Sequence, residues 1–428
     1  MKEVVLVEGL RSPFSKAGTD FKSLHAADMG AQVLKELLAK TNMSGDKIDE
    51  VIIGNVGNPS DAANISRVVA LKAGLPQSVS AYTVHRNCAS ALESASSAFD
   101  KISSGSADIV IAGGVENMSQ YPLLFTQRFS NIFGEFAFSK TLSKKLKALK
   151  KLKLKDLMPR ISVIEGLTDP FVGLSMGQTA EILAKEFKIS REDQDAFALK
   201  SHQNAVAATK KLSEEIMPLF IPPKLNKVLE KDNGPRETQT IESLKKLKPY
   251  FDKKYGSVTV GNACPLTDGA VMLLLMSKEK AQELGLKPLA YIRSYAYAGC
   301  DPSRMGLGPV YATAKLLAKQ NISLQDIDLI ELNEAFATQV LACTKAFNSD
   351  EFCKKELGLE KSMGSIDLDR LNVNGGAIAI GHPVGSTGSR LILTLAKQMQ
   401  RQNAKFGLAT LCIGGGQGGA LLLEKIDF

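Results

Sequence analysis

Leu37-Leu38-Ala39-Lys40-Thr41-Asn42-Met43-Ser44, running on into Ile48-Asp49-Glu50-Val51-Ile52-Ile53, returns 279 positions later as Leu316-Leu317-Ala318-Lys319-Gln320-Asn321-Ile322-Ser323 and Ile327-Asp328-Leu329-Ile330-Glu331-Leu332. Both copies read as the end of a helix, a turn and a buried strand, because helical apolar spacing gives way to a continuous apolar run. Ala107–Gly114 and Phe406–Gly415 form a second matching pair, each a strand that ends in glycines. Shared grammar at a constant offset marks an internal duplication. The expected scaffold is one α/β unit present twice, over about 1–120 and about 275–428. Strands such as Ile109–Ala112 and Leu421–Leu423 are apolar throughout, which suits sheets covered by helices on both faces.

The stretch between the copies has a different character. Residues 121–250 hold a lysine run, a strong helical pattern from about Gly177 to Thr209, and prolines at 218, 222, 223, 235 and 249. This reads as an inserted loop domain, the kind of segment that carries ligand specificity on a rigid scaffold. Residues 251–274 then supply a return strand that joins the N-terminal half.

A chain of 428 residues, 44% hydrophobic and 23% charged, has the composition of an ordinary globular protein of two to three domains. Disordered and coiled-coil classes are excluded, and apolar runs such as Val271–Met276 fall far short of the ~18 residues that span a bilayer. A strand begins at once in Val4-Val5-Leu6-Val7 with no leader pattern ahead of it. Six scattered cysteines (88, 264, 300, 343, 353, 412) include no CxxC pair. The expectation is therefore a cytoplasmic protein with neither a disulfide framework nor a zinc site.

The net charge of +8 is local. Lys140–Lys155 contains eight lysines and no acid, so the rest of the chain is neutral. Leu142, Leu146 and Leu149 recur within the run at helical spacing, which makes it a short basic amphipathic segment. A solvated face, docking to an anionic membrane or an acidic partner, and contact with a phosphorylated ligand are the readings it allows. Nucleic acid is disfavoured, because no binding motif or aromatic–basic interleaving accompanies the lysines.

Four short stretches carry chemistry. In Asn87-Cys88-Ala89-Ser90 a strand ends and a helix of small residues begins, which sets Cys88 near a helix N-terminus, where exposed amides favour a thiolate. In Asn374–Gly388 a glycine-rich path holds His382 between Gly381 and Pro383 and lets a ligand approach the backbone. Cys412-Ile413-Gly414-Gly415-Gly416-Gln417-Gly418 ends a strand in a cysteine and a turn able to aim N–H groups at developing negative charge. Glu331-Leu332-Asn333-Glu334-Ala335-Phe336 ends a repeat-related strand in polar residues. Strand ends from two related sheets can converge on one crevice, so the set points to cysteine nucleophilic catalysis.

Taken together, Asn-Cys-Ala-Ser, Asn-Glu-Ala-Phe, Gly-His-Pro-Val-Gly-Ser-Thr-Gly and Cys-Ile-Gly-Gly-Gly-Gln-Gly resemble the thiolase family, and the likeness runs along essentially the whole chain. It implies a layered αβαβα thiolase fold built from two duplicated halves with an inserted loop domain. It also implies acyl-CoA and CoA as substrates, no cofactor, no metal, and a homodimer or tetramer. Carried over, the family's roles make Cys88 the acyl-carrying nucleophile and His382 its proton acceptor, with Cys412 the acid/base at carbon. Asn333 would hold a water that forms one oxyanion hole with His382, and the amides of Cys88 and Gly414 would form the other. Ser175, Met176 and Phe336 are expected among the substrate- and CoA-binding residues, Cys264 either near the pantetheine arm or in the core, and Arg236 either near the CoA nucleotide or a plain surface arginine.

The departures sort the subtypes. Ser139–Pro159 resembles the insert of thiolase subunits in fatty-acid β-oxidation complexes, where that segment meets the membrane or the hydratase/dehydrogenase subunit. Those subunits usually carry His where Asn333 stands, whereas Asn333-Glu334-Ala335-Phe336 and Leu167–Phe171 look more like acetoacetyl-CoA thiolases and stand-alone degradative thiolases. A 3-ketoacyl-CoA thiolase of β-oxidation is the leading reading and an acetyl-CoA acetyltransferase the second. A decarboxylating ketoacyl synthase would not need Cys412, and a non-catalytic lipid-binding relative would be expected to lose one of Cys88, His382 or Cys412. His85, where many thiolases have Asn, is expected to be structural, as are His25 and His202, while Cys300, Cys343 and Cys353 are expected to be packing or surface thiols.

Overall fold

The computed structural model describes residues 1–426. Its first half runs β1 (Val4–Arg11), α1 (Ala26–Lys40), β2 (Glu50–Gly54), α2 (Ile65–Lys72), β3 (Ser80–Val84), α3 (Ser90–Ser103) and β4 (Ile109–Asn117). The connecting region contains α4 (Gln127–Phe138), α5 (Leu142–Leu149), α6 (Met176–Glu186) and α7 (Arg191–Ala207), and the chain returns through β5 (Thr267–Ser277). The second half runs β6 (Ala290–Gly299), α8 (Gly308–Gln320), β7 (Leu329–Leu332), α9 (Ala337–Phe347), α10 (Thr387–Gln402), β8 (Phe406–Ile413) and β9 (Gln417–Glu424).

These strands form one ladder in the order β7-β8-β9-β6-β1-β5-β4-β2-β3. The two halves meet where β1 pairs antiparallel with β6, Val4 opposite Ile292 and Leu6 opposite Ala290. Outward from that seam both halves repeat one pattern: two antiparallel pairings, then a parallel strand. The place of β3 is taken in the second half by a single parallel bridge from Ile330 to Leu371. The matched sequence stretches fall at matched positions, β2 with β7 and β4 with β8. Asn42 and Asn321, equivalent in the repeat, both adopt left-handed φ (50° and 53°) where α1 and α8 end. Asparagine tolerates that conformation better than most residues.

Three apolar cores fill the spaces between layers. One lies under α1 and α2 (Met29, Leu34, Val69) and one under α8 and α9 (Leu316, Val340). The third, between the two halves of the sheet, takes Leu92 and Ala95 of α3 with Leu391 and Leu395 of α10. Five layers result, αβαβα. The two central helices approach closely because Gly388 has no side chain: a Cβ there would stand 2.3 Å from the Leu92 amide nitrogen. Cys88 lies just before α3 and His382 just before α10, so these helices bring both to the same end of the sheet.

The helix expected over about 177–209 is divided. Lys188 takes a left-handed φ of 48°, and Ser190 then caps α7 in a reciprocal box with Asp193, so a new helix starts where the long one was expected to continue. Among the described residues no helix is long and apolar enough to cross a membrane.

Candidate active site

One apolar cavity of about 510 Å³ is lined by Cys88, Cys264, His382, Cys412 and Gly414, with Met176 and Phe336 among its walls. The three sulfurs of Cys88, Cys264 and Cys412 are close enough to feel one another's charge. Asn333 is fully buried beside them, with Nδ2 3.4 Å from His382 Nε2. Side chains from the ends of strands in both halves thus share a single chamber.

The hydrogen bonds around His382 select its tautomer. Thr387 Oγ1 donates to the Pro383 carbonyl at 3.0 Å, so at 2.6 Å it accepts from His382 Nδ1–H. The Asn333 amide donates toward Nε2 at 3.4 Å, so Nε2 is the unprotonated ring nitrogen, its lone pair held only by that long contact. The backbone N–H of His382 donates to Thr267 Oγ1 at 3.1 Å, which ties the glycine-rich loop to β5. Burial, assisted by the Arg390 charge, lowers the imidazole pKa to about 3. The His382 ring is therefore uncharged near neutral pH.

The sequence reading of Cys88 as a stabilised thiolate needs correction. The Gly414 and Cys88 amides pull its titration down as donors to sulfur, but burial opposes them and wins, raising the pKa above that of an ordinary thiol. Burial also pushes Cys412 well up and Cys264 to about 12. The site thus holds protonated thiols beside an unprotonated imidazole.

Cys264, Phe336, Met176 and Ser175 all line the cavity. The Ser175 hydroxyl is already engaged, accepting from the Gln178 N–H and donating to its side-chain oxygen as the cap of α6. Arg236 is not brought to the cavity. It is exposed, its backbone N–H donates to His202 Nδ1 at 3.3 Å, and its guanidinium reaches Gln239. His202 is buried with its pKa lowered to about 4. His25 caps α1 by accepting from the Ala27 N–H. His85 Nδ1 lies 3.4 Å from the Asn87 backbone nitrogen. Cys343 and Cys353 are buried thiols facing main-chain carbonyls.

Several positioning groups escaped the sequence reading. Glu334 is buried and accepts from Ser201 Oγ (2.6 Å), Asn372 Nδ2 (2.9 Å) and the Ile378 N–H (3.2 Å), which fastens α7 to the strand end beside Asn333. Glu116 accepts from the N–H groups of Val56 and Gly57, both at 2.9 Å, and burial raises its pKa to about 7. Among the described residues no group of three or more His, Cys, Asp or Glu side chains is arranged to hold a metal ion.

Three neutral thiols, a neutral imidazole and paired backbone N–H groups in an apolar chamber suit acyl transfer through sulfur. This architecture and site define a thiolase-type acyltransferase. The chain belongs to the thiolase family: the model for "Thiolase, N-terminal domain" matches residues 4–279 and that for "Thiolase, C-terminal domain" matches residues 286–425. It is 41% identical to a 3-ketoacyl-CoA thiolase of Yersinia pestis (strain Pestoides F) over 98% of this chain and 96% of that one. Among solved structures, the Bacillus anthracis acetyl-CoA acetyltransferase superposes with a TM-score of 0.86 at 38% identity, covering 100% of this chain and 99% of that one. Human mitochondrial 3-ketoacyl-CoA thiolase does so at 0.85 and 35%, with the same coverage.

Proposed function

We propose that this chain is a 3-ketoacyl-CoA thiolase of fatty-acid β-oxidation, cleaving 3-ketoacyl-CoA with CoA to acetyl-CoA and a shortened acyl-CoA. The observation that carries the reading is the shared cavity, where Cys88, His382, Cys412 and the Gly414 amide surround one apolar space. His382 Nε2 accepts the Cys88 proton as sulfur attacks the 3-keto carbon. The resulting oxyanion is held by the Cys88 and Gly414 N–H groups. When the C2–C3 bond breaks, its electron pair goes to C2, the other oxyanion, on the thioester oxygen, is stabilised by His382 with an Asn333-held water, and Cys412 gives C2 a proton. Acetyl-CoA leaves, the Cys412 thiolate takes the proton of incoming CoA, and the CoA sulfur displaces Cys88 from the acyl group, the Cys88 thiolate recovering its proton from His382. Asn333 Oδ1, buried without a protein partner, is suited to the water. Exposed Arg236, beside Lys16, is suited to the CoA phosphates.

The measurement is a thiolysis profile over 3-ketoacyl-CoA chains from C4 to C16. Turnover that persists beyond C4 is expected. Activity confined to C4 would favour an acetoacetyl-CoA thiolase, the second reading, which Asn333 supports. The lowered pKa of His382 sets the acid side of the pH profile. Its neutral form is the base, so the acylation rate holds as pH falls through 6.5 and declines only toward 3 or at acid unfolding. A protonation step near 6.5 that disappears in His382→Ala would contradict this.

The same reading includes a cytoplasmic setting, in keeping with six free thiols, and a homodimer or tetramer. It also includes peripheral docking through Lys140–Lys155, to which the surrounding residues 121–166 add apolar surface. There Phe125, Phe129 and Phe133 stack in a row at centroid spacings of 4.3 and 6.1 Å. Phe133 is 57% exposed, Phe138 89%, Leu154 89% and Met158 70%. An apolar surface this exposed, beside eight lysines, suits an anionic lipid surface, each lysine adding about 1 kcal/mol. A hydratase/dehydrogenase subunit is the alternative occupant. Co-sedimentation with phosphatidylglycerol vesicles is expected at low salt and is lost when the eight lysines become Gln. Binding unchanged by that replacement would refute the docking surface.

A further inference from the structure

The two amide donors of the site belong to different halves of the duplication, Cys88 to the first and Gly414 to the second, so no local chain geometry fixes their separation. Asn87 spans that gap. Its backbone takes a left-handed φ of 45°, and from there its side chain crosses to the turn after β8, where Nδ2 donates to the Gly414 carbonyl at 2.8 Å. Gly415 and Gly416 of that turn take φ values of 91° and 76°; the Cys300 N–H holds the Gly416 carbonyl at 2.7 Å on the far side, and Asn87 holds the Gly414 end. The other end of Asn87 is equally anchored, its carbonyl accepting from the Ser90 N–H (3.0 Å) and Ser90 Oγ (2.7 Å) at the start of α3.

We propose that Asn87 is a positioning residue for acyl transfer, one side-chain bond that holds the Gly414 N–H at the same oxygen as the Cys88 N–H. The inference rests on the reading that Cys88 carries the acyl group. Asparagine serves twice here. It accepts the left-handed backbone with little strain, and its amide supplies a donor at a reach that leucine or valine lacks.

The two services separate by substitution. Asn87→Gly keeps the backbone conformation and removes the bond, whereas Asn87→Asp keeps the shape and turns an acceptor toward the carbonyl. A melting temperature within a few degrees of wild type shows that a variant is folded. Single-turnover acylation by acetyl-CoA is expected to slow about 10- to 10²-fold in both, short of the ~10²–10³ for outright loss of an oxyanion donor. KM should stay within about twofold. The infrared carbonyl stretch of the ¹³C-labelled acyl-enzyme should move up toward that of a free thioester. Folded Asn87→Gly that acylates at the wild-type rate, changes only KM, or leaves the stretch unmoved overturns the proposal. A wild-type enzyme that carries no acyl group on Cys88 overturns the underlying reading as well, and that control separates the two failures.

Discussion

Cys412→Ala is expected to stop thiolysis of 3-ketoacyl-CoA while Cys88 still takes an acetyl group from acetyl-CoA. The two half-reactions make different demands on an acid. Carbon–carbon cleavage releases a carbanion that is far more basic than a thiolate and must be protonated as it forms. Acetyl transfer from acetyl-CoA releases the CoA thiolate, whose conjugate acid has an ordinary thiol pKa of ~8.5, and needs no strong proton donor. A buried thiol with a raised pKa suits the first task, because it keeps its proton until a strong base appears beside it. Loss of a positioned acid or base typically costs ~10²–10⁴ in rate. Steady-state thiolysis should fall by about that much, with burst acetylation within a few-fold of wild type. Equal loss in both assays would contradict the division of labour between the sulfurs.

Cys88→Ala is expected to be more severe, removing both half-reactions together. Without the nucleophile no covalent intermediate forms, and the loss should be on the order of 10⁴-fold or more. Binding is expected to survive, since the cavity is walled by residues the substitution leaves in place. Isothermal titration with acyl-CoA should give a dissociation constant within a few-fold of wild type. Residual thiolysis within tenfold of wild type would move the nucleophile elsewhere, Cys264 being the next sulfur in the chamber.

The duplication was legible because its signals are local and repeated: a helix ending at an asparagine, then an apolar strand, written twice. The convergence of Cys88, Asn333, His382 and Cys412 followed, since related strands that end at the same edge carry their terminal residues to one place. What could not be read were quantities set by the surroundings. The helix start at Cys88 suggested a thiolate, but the enclosing walls come from remote segments, and their desolvation outweighs two amide donors. Thr387 and Thr267 look like ordinary loop and strand residues until the fold sets them against the two sides of His382. Nothing in the sequence singled out the row Phe125, Phe129 and Phe133, and only the structure reveals how little covers it. The break at Lys188 was partly legible in the Ser190-x-x-Asp193 cap, which the longer helical pattern masked.

The central claim, that a sulfur of the first half carries the acyl group under the control of groups from the second, is tested most directly by where that group resides. The protein is mixed with ¹⁴C-acetyl-CoA, quenched in acid within milliseconds and mapped by peptide mass. One acetyl group per chain, as a thioester on the peptide containing Cys88, is the predicted result. Label on Cys264 or Cys412 with Cys88 free, or no thioester at all while thiolysis proceeds, would contradict it.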